Sequence, residues 1–291
     1  MNTTALIMVL VSAVAHAVWN FLFKKGGDKE SFIWLVQVVM AVIFIPLAIV
    51  IAAKNPIDVT GWIFVLGTGV LHVFYFIFLG RAYASGDLSE VYPIARGTGP
   101  AVVPLLGAVI LGEYVSPQAV MGILTIVVGV FTVYWSRSLM TTTFWSLESL
   151  KNPAISYSLL TGVVIACYSI WDKVGVSHVS GFLYMHLMAT VTGLLMTPYI
   201  LKTKGKEIIK KEWTLNRFNI IGVSILTFGA YGLVLSAMEV AKVSYVWPVR
   251  EASILVVILM GRFLLNENLR WPRVLGACLI MVGVGAIGLS T

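Results

Sequence analysis

The sequence predicts an all-α integral membrane protein whose ten transmembrane helices form two inverted five-helix repeats. Three observations carry that expectation. The 291 residues are 59% hydrophobic and only 11% charged, with a mean hydropathy of +0.93. Soluble domains carry about 25% charged residues, so too few polar side chains exist here to face water, and lipid must cover the chain instead. Ten apolar segments follow one another, each near the roughly 20 residues needed to cross the hydrocarbon core. The second half of the chain also repeats the first at an offset of 154–155 residues.

The segments lie at about 4–23, 32–53, 61–83, 88–111 and 116–135, then 153–173, 179–201, 216–241, 243–265 and 270–289. Within the first, "AHA" at 15–17 mimics a signal-peptidase site, but no Lys or Arg precedes the run, so it reads as a retained first helix. Short connections suggest that consecutive helices pack as antiparallel neighbours. The longest polar stretches are 136–152 and 202–217. The first of these divides the chain into units 1–135 and 153–291.

The repeat is specific. At an offset of 154, "ILGEYVSPQAVMGILTIVVGV" (110–130) lies on "LLNENLRWPRVLGACLIMVGV" (264–284), which matches Glu113 to Glu267, Gly122 to Gly276 and Gly129 to Gly283. At 155, "SEVYPI" (89–94) lies on "SYVWPV" (244–249), matching Pro93 to Pro248 and Tyr92 to Trp247. Five crossings turn the second copy upside down relative to the first. Inverted repeats about an axis in the membrane plane are the mark of secondary transporters, with substrate near the midplane between the repeats.

Orientation follows from basic residues. Connections 1–2, 3–4, 5–6, 7–8 and 9–10 hold 15 Lys and Arg, and the others hold Lys54, Lys173 and Lys242. The positive-inside rule then places the 15 in the cytoplasm and both termini outside. The basic run "KTKGKEIIKKEW" (202–213) reads as a topology anchor at the lipid headgroups. The net charge of +7 sits mostly in such short loops and gives no sign of a nucleic-acid partner.

This pattern resembles the drug/metabolite transporter superfamily, specifically its EamA-type ten-helix members. "LGE" (111–113) ends helix 4, "WNFLFK" (19–24) ends helix 1, and "YSIWDK" (168–173) is its counterpart in helix 6. Two departures stand out: "LNE" (265–267) replaces LGE in the second repeat, and Ile258 stands where the first has Pro104. Members often have cytoplasmic termini, whereas the charges here argue the reverse. The resemblance implies a transporter of the cell inner membrane. It does not choose among amino acids, sugars, nucleotides, drugs and organic anions.

Arg96 is the most informative residue. It lies roughly 12 Å into the fourth span at 1.5 Å per residue, where a charge costs about 2.5–3.5 kcal/mol. Tyr92 precedes it by one turn on the same face. The 155-residue offset puts Glu251 at the equivalent position, with Trp247 one turn before it and Arg250 beside it. The expectation is that Arg96 and Glu251 face each other across a cavity and hold the two charges of an amino acid or similar zwitterion. A direct ion pair that closes the bundle is the alternative. Glu251 is also the first candidate to carry a coupling proton; a counter-substrate is the other coupling partner considered. His16, Trp19 and Asn20 form a polar strip on helix 1, and Tyr168 and Tyr231 are further wall candidates, each with packing as the plainer role. His72 with Tyr75, Tyr184 with His186, and Trp171 stand lower. Glu113 and Glu267 read as caps.

No H-E-x-x-H, G-x-S-x-G or P-loop is present, so an enzyme is not expected, nor is a cofactor or metal. Cys167 and Cys278 read as small core residues. Gly283, Gly285 and Gly288 could pack within a monomer or between the protomers of a homodimer. A channel would favour rings of equivalent polar residues over one chain with its own inverted repeat and an Arg where its partner has a Glu; a channel, a lipid flippase or a non-transporting sensor stays among the alternatives. The expected function is alternating-access transport of a small polar metabolite with an anionic group, an amino acid first. An exchanger of organic anions or phosphorylated metabolites, or an exporter of drugs and amines, is the alternative.

Overall fold

The computed structural model describes residues 1–24, 26–86, 88–133, 151–264 and 271–290. The side chain of Tyr92, the segment carrying Glu267 and nearly all of 136–152 lie outside the described residues. The chain folds as α1 Thr3–Lys24, α2 Lys29–Ile43, α3 Ile45–Lys54, α4 Val59–Ser85, α5 Leu88–Leu111, α6 Pro117–Val133, α7 Pro153–Gly175, α8 Gly181–Thr203, α9 Gly205–Val240, α10 Val243–Arg250, α11 Ser253–Leu264 and α12 Trp271–Leu289.

These twelve pieces group into ten helical segments, of which seven, or eight counting the bent α2–α3 pair, are long and apolar enough to cross a membrane. Helices α2 and α3 are one apolar segment bent by 56°. The bend falls at Phe44, where Pro46 enters the first turn of α3 and cannot supply a backbone donor. Helices α10 and α11 are likewise one segment, Val243–Phe263, broken at Glu251–Ala252. The continuous ninth helix expected from hydropathy is therefore two half-helices. Pro248 removes a donor one turn before the break, and the chain passes through it on tight i→i−3 bonds, Glu251 N–H to Pro248 O and Ala252 N–H to Val249 O, both 3.0 Å. Of the remaining eight segments, α8 is long enough to span but carries His186 and four threonines, and α6 has 17 residues.

A second correction concerns 202–217, which hydropathy marks as a loop. Nothing in "KEIIKKEWTLNRF" opposes a helix except Gly205 at its start, and Gly205 takes φ +73° to turn the chain. Helix α9 consequently begins at Gly205 and runs 36 residues. Its first turns are exposed at Lys206, Lys210 and Lys211, while the Glu212 carboxylate is buried against the N–H groups of Gly27 (3.1 Å) and Asp28 (2.9 Å).

The strongest packing is between repeats rather than between consecutive helices. Helix α1 lies on α9, and α4 lies on α7; α2 contacts both α8 and α9, and α8 contacts α4. Exchanging the repeats turns the first pairing into the second and the α2–α9 pairing into the α4–α8 pairing. Consecutive helices do pack in places, as α8 does on α9 and α5 on α6, but each half buries most of its apolar faces against the other. Helices α6 and α12 form the tightest pair. A Cβ added at Gly122 would stand 2.9 Å from Gly283 O, and one at Gly129 would stand 2.9 Å from Gly276 O. The backbones therefore touch along the glycines that the sequence repeat matches, as small residues allow in a membrane. Gly283 packs within the monomer, Gly288 meets Leu6, and a Cβ at Gly285 would meet nothing within 4 Å.

The outward surface is apolar at Val109, Phe218, Phe263 and Leu105, and Trp62 and Trp271 are exposed in the first turns of α4 and α12. Cys167 and Cys278 are exposed on this surface. They are not core residues; a thiol is apolar enough to face lipid.

Candidate functional site

A cavity of about 80 Å³ lies among α1, α2, α4, α5, α7, α8, α9 and α10. It has room for several water molecules, each needing on the order of 10–15 Å³ by this measure. Its walls include six of the residues singled out in the sequence: His16, Trp19, Arg96, Tyr168, Tyr231 and Arg250. His72, Tyr75, Gln37 and Thr227 complete its polar lining. The larger opening, about 660 Å³, lies elsewhere, at the chain ends between Met1, Lys242 and Ser290. Its charged groups are engaged with backbone: the Met1 amine with Ser290 O at 2.7 Å, Lys242 with Tyr114 O at 2.6 Å, Lys173 with Met238 O and Ala241 O.

Arg96 and Glu251 do not face each other across this cavity. Arg96 Nη2 stands 3.3 Å from Glu251 Oε1 and 3.5 Å from Oε2. Only Arg96 of the two reaches the cavity wall, and Glu251 is 1% exposed behind it. Symmetry explains the arrangement. The two residues are equivalent under the repeat, α5 packs on α10, and equivalent groups that touch must lie on the pseudo-two-fold axis. Two arginines there would repel; the Arg-for-Glu exchange makes the contact attractive. Glu251 caps the end of α10 at the helix break.

Arg250 is the cation left over. It is 7% exposed, and its guanidinium carbon lies 4.7 Å from the Trp247 ring centre and 5.3 Å from that of Tyr231, within cation–π range. Its Nη2 is 3.4 Å from His16 Nδ1. Trp19 Nε1 donates to the same nitrogen at 3.1 Å, so two donors converge on Nδ1 and mark it as the unprotonated acceptor of a neutral imidazole. Arg250 Nε and Nη1 are buried without a hydrogen-bond partner. Guanidinium donors of this kind have the geometry that pairs with carboxylate or phosphate oxygens.

The aromatic walls form one cluster. Tyr168 contacts Trp247 at 5.8 Å, His72 at 4.4 Å, Tyr75 at 5.9 Å and Tyr231 at 6.4 Å between ring centres. Trp247 is buried behind this wall rather than lining it. Asn20 bonds back to His16 O at 2.7 Å on its own helix and does not reach the cavity. Asp172 is a residue that sequence reasoning missed. It is fully buried in α7 and accepts from Tyr231 Oη at 2.6 Å and Tyr184 Oη at 2.9 Å. The signal was available, since a carboxylate inside an apolar span is functional by default. The sequence places the end of that span at 173, however, so Asp172 looks like an interface residue.

Ten apolar helical segments in two repeats, folded around a buried charged cavity, define a multi-pass membrane protein of the transporter class. The chain belongs to the EamA-like transporter family, whose model matches residues 3–135 and 152–289. Among solved structures, one titled only as the crystal structure of a protein aligns at a TM-score of 0.76 and 14% identity, covering 99% of this chain and 98% of its own. That likeness shows the fold. No curated protein matches the sequence.

Proposed function

We propose that the protein is a secondary transporter that moves a small polar metabolite with an anionic group across the inner membrane by alternating access. The first substrate class is an amino acid or similar zwitterion. The observation that carries this reading is Arg250, buried on the cavity wall with two unused donors. It would hold the anionic group, with Arg96 beside it and Tyr231 and Tyr168 as walls. An ammonium group would lie against the aromatic faces. The second reading, a plain organic anion or phosphorylated metabolite, is favoured by one fact: Glu251 is engaged with Arg96 and offers no free carboxylate to the cavity. Because the helices of the repeats 1–135 and 153–291 interleave, the rigid bodies that rock would each draw helices from both.

The test is a thermal-shift screen of purified protein against amino acids, organic acids, phosphorylated metabolites and amines. Saturable stabilisation by one anionic class, lost in Arg250→Ala and weakened in Arg96→Ala, is the expected result. Amines stabilising wild type and Arg250→Ala alike would point to an exporter of cations instead.

A further inference from the structure

We propose that Asp172 is the protonation site of the transport cycle, and that it is coupled through Tyr231 to an anion held by Arg250. The proposal rests on the transporter reading above for its role, but the proton site itself is testable without any substrate. Asp172 is a fully buried carboxylate in a membrane segment, and no Lys or Arg among the described residues stands within ion-pair distance of it. Its neighbours are neutral or polar from every side: Thr68 and His72 from α4, Tyr184 from α8 and Tyr231 from α9. On its own helix, Lys173 points away to Met238 O and Ala241 O. Arg250 lies over the ring of the same Tyr231 whose hydroxyl bonds Asp172.

The hydrogen-bond pattern has a place for one more proton. Tyr184 Oη lies 2.9 Å from Asp172 Oδ1 and 3.1 Å from Phe64 O. Its single hydrogen therefore serves two acceptors while Asp172 is ionised. A proton added to Oδ1 can be donated to Tyr184 Oη, which then turns its own hydrogen to Phe64 O. Tyr231 continues to donate to Oδ2. Both states of Asp172 are thus satisfied by one hydroxyl rotation, with no backbone movement and no bond formed to substrate. The proton arrives from the water of the cavity, which Tyr231 and His72 line, and leaves by the reverse step when access changes.

Coupling follows from position. Arg250 and Asp172 share Tyr231, the first over its ring at 5.3 Å and the second at its hydroxyl at 2.6 Å. One tyrosine apart, and at an effective dielectric of about 20, a guanidinium favours an ionised carboxylate on the order of tenfold. An anion seated on Arg250 cancels that field, so anion binding and protonation of Asp172 assist each other by the same factor. The predicted stoichiometry is one proton moving with one anionic charge, in the same direction.

Infrared difference spectra of the full-length protein in lipid, recorded between alkaline and acid buffer, read the carboxyl C=O band of a buried protonated acid directly. Asp172→Asn should remove one such band, while Glu251→Gln and His72→Gln leave it. Arg250→Gln, which imitates a neutralised guanidinium, should raise the pH midpoint of the band by about one unit. Tyr231→Phe, which keeps the ring and loses the hydroxyl, should also move the midpoint if Arg250→Gln does not fold. A band that survives in Asp172→Asn overturns the proton site. A band lost in Asp172→Asn whose midpoint ignores both other variants overturns the coupling. In proteoliposomes loaded with a pH dye, with alanine, succinate and 3-phosphoglycerate as probes, a wild-type protein that moves a probe without protons also overturns the coupling. A protein that moves no probe and binds none counts against the transporter reading itself, and the infrared band then decides by itself whether Asp172 takes up a proton.

Discussion

Arg96 illustrates how much one residue can disclose. Its charge in an apolar span and its offset from Glu251 were legible in the sequence. The sequence left direct pairing and a separation across the cavity both open, because a repeat says which residues are equivalent and not how near the axis they lie. The pair also sets a stability expectation. Removing one member of a buried pair leaves the other charge uncompensated, at about 3–5 kcal/mol, whereas replacing both by apolar residues is far milder. Arg96→Leu and Glu251→Leu should each lower the unfolding temperature sharply in detergent. The double variant should recover most of the loss, giving a coupling energy in a double-mutant cycle. Additive losses would mean that the ions do not depend on each other. Asp172 is the opposite case, a residue whose meaning depends on two tyrosine hydroxyls from α8 and α9 that no spacing in the sequence connects to it.

At the scale of the element, the "LGE" motif becomes a joint. Gly112 leaves α5 at φ +65°, a conformation open to Gly and next best to Asn, the residue at the matching position 266. Glu113 then receives the N–H groups of Val243 (2.9 Å) and Ser244 (3.0 Å) and the Ser244 hydroxyl (2.5 Å). It caps the first turn of the half-helix that ends in Arg250; the sequence allows it as a cap without saying of what. Glu113→Ala should cost about 1–3 kcal/mol, the range for stranding buried donors, with Glu113→Gln intermediate in thermal unfolding. The glycine seam of α6 and α12 makes a second element-scale prediction. Gly129→Ala drives a methyl to 2.9 Å from Gly276 O and Gly276→Ala one to 2.6 Å from Gly129 O, so each should lose about 1–3 kcal/mol by overpacking. Gly285→Ala, facing open space, should be neutral or stabilising. Helix breaks were the harder elements to foresee: hydropathy runs unbroken through Pro46 and Pro248, and only the loss of a donor at each marks where the backbone must turn.

For the whole molecule, interleaving and orientation are the consequences that matter. Matching pairings of α1 with α9 and α7 with α4 mean that neither repeat can bury its apolar faces alone, so half the chain expressed by itself should not fold. The ten segments and their repeat were readable because membrane burial writes length and apolarity directly into sequence. Which helices touch was not, because lipid-facing and protein-facing apolar residues look alike. Orientation remains a prediction from charge, and it decides what the cavity faces. Its walls run from Arg250 and Tyr168 to Ile33 and Gln37 in the first turns of α2, toward the end of the bundle where α1 passes to α2 and α8 to α9. If the positive-inside rule holds, this is the cytoplasmic end. Single cysteines introduced at Asn55 and Lys206, both exposed, test it in a background where Cys167 and Cys278 are replaced by alanine. A charged, membrane-impermeant maleimide should label Asn55→Cys in intact cells and Lys206→Cys only after permeabilisation. The reverse pattern would turn the protein over, and the arginine cavity would then take its anion from outside the cell.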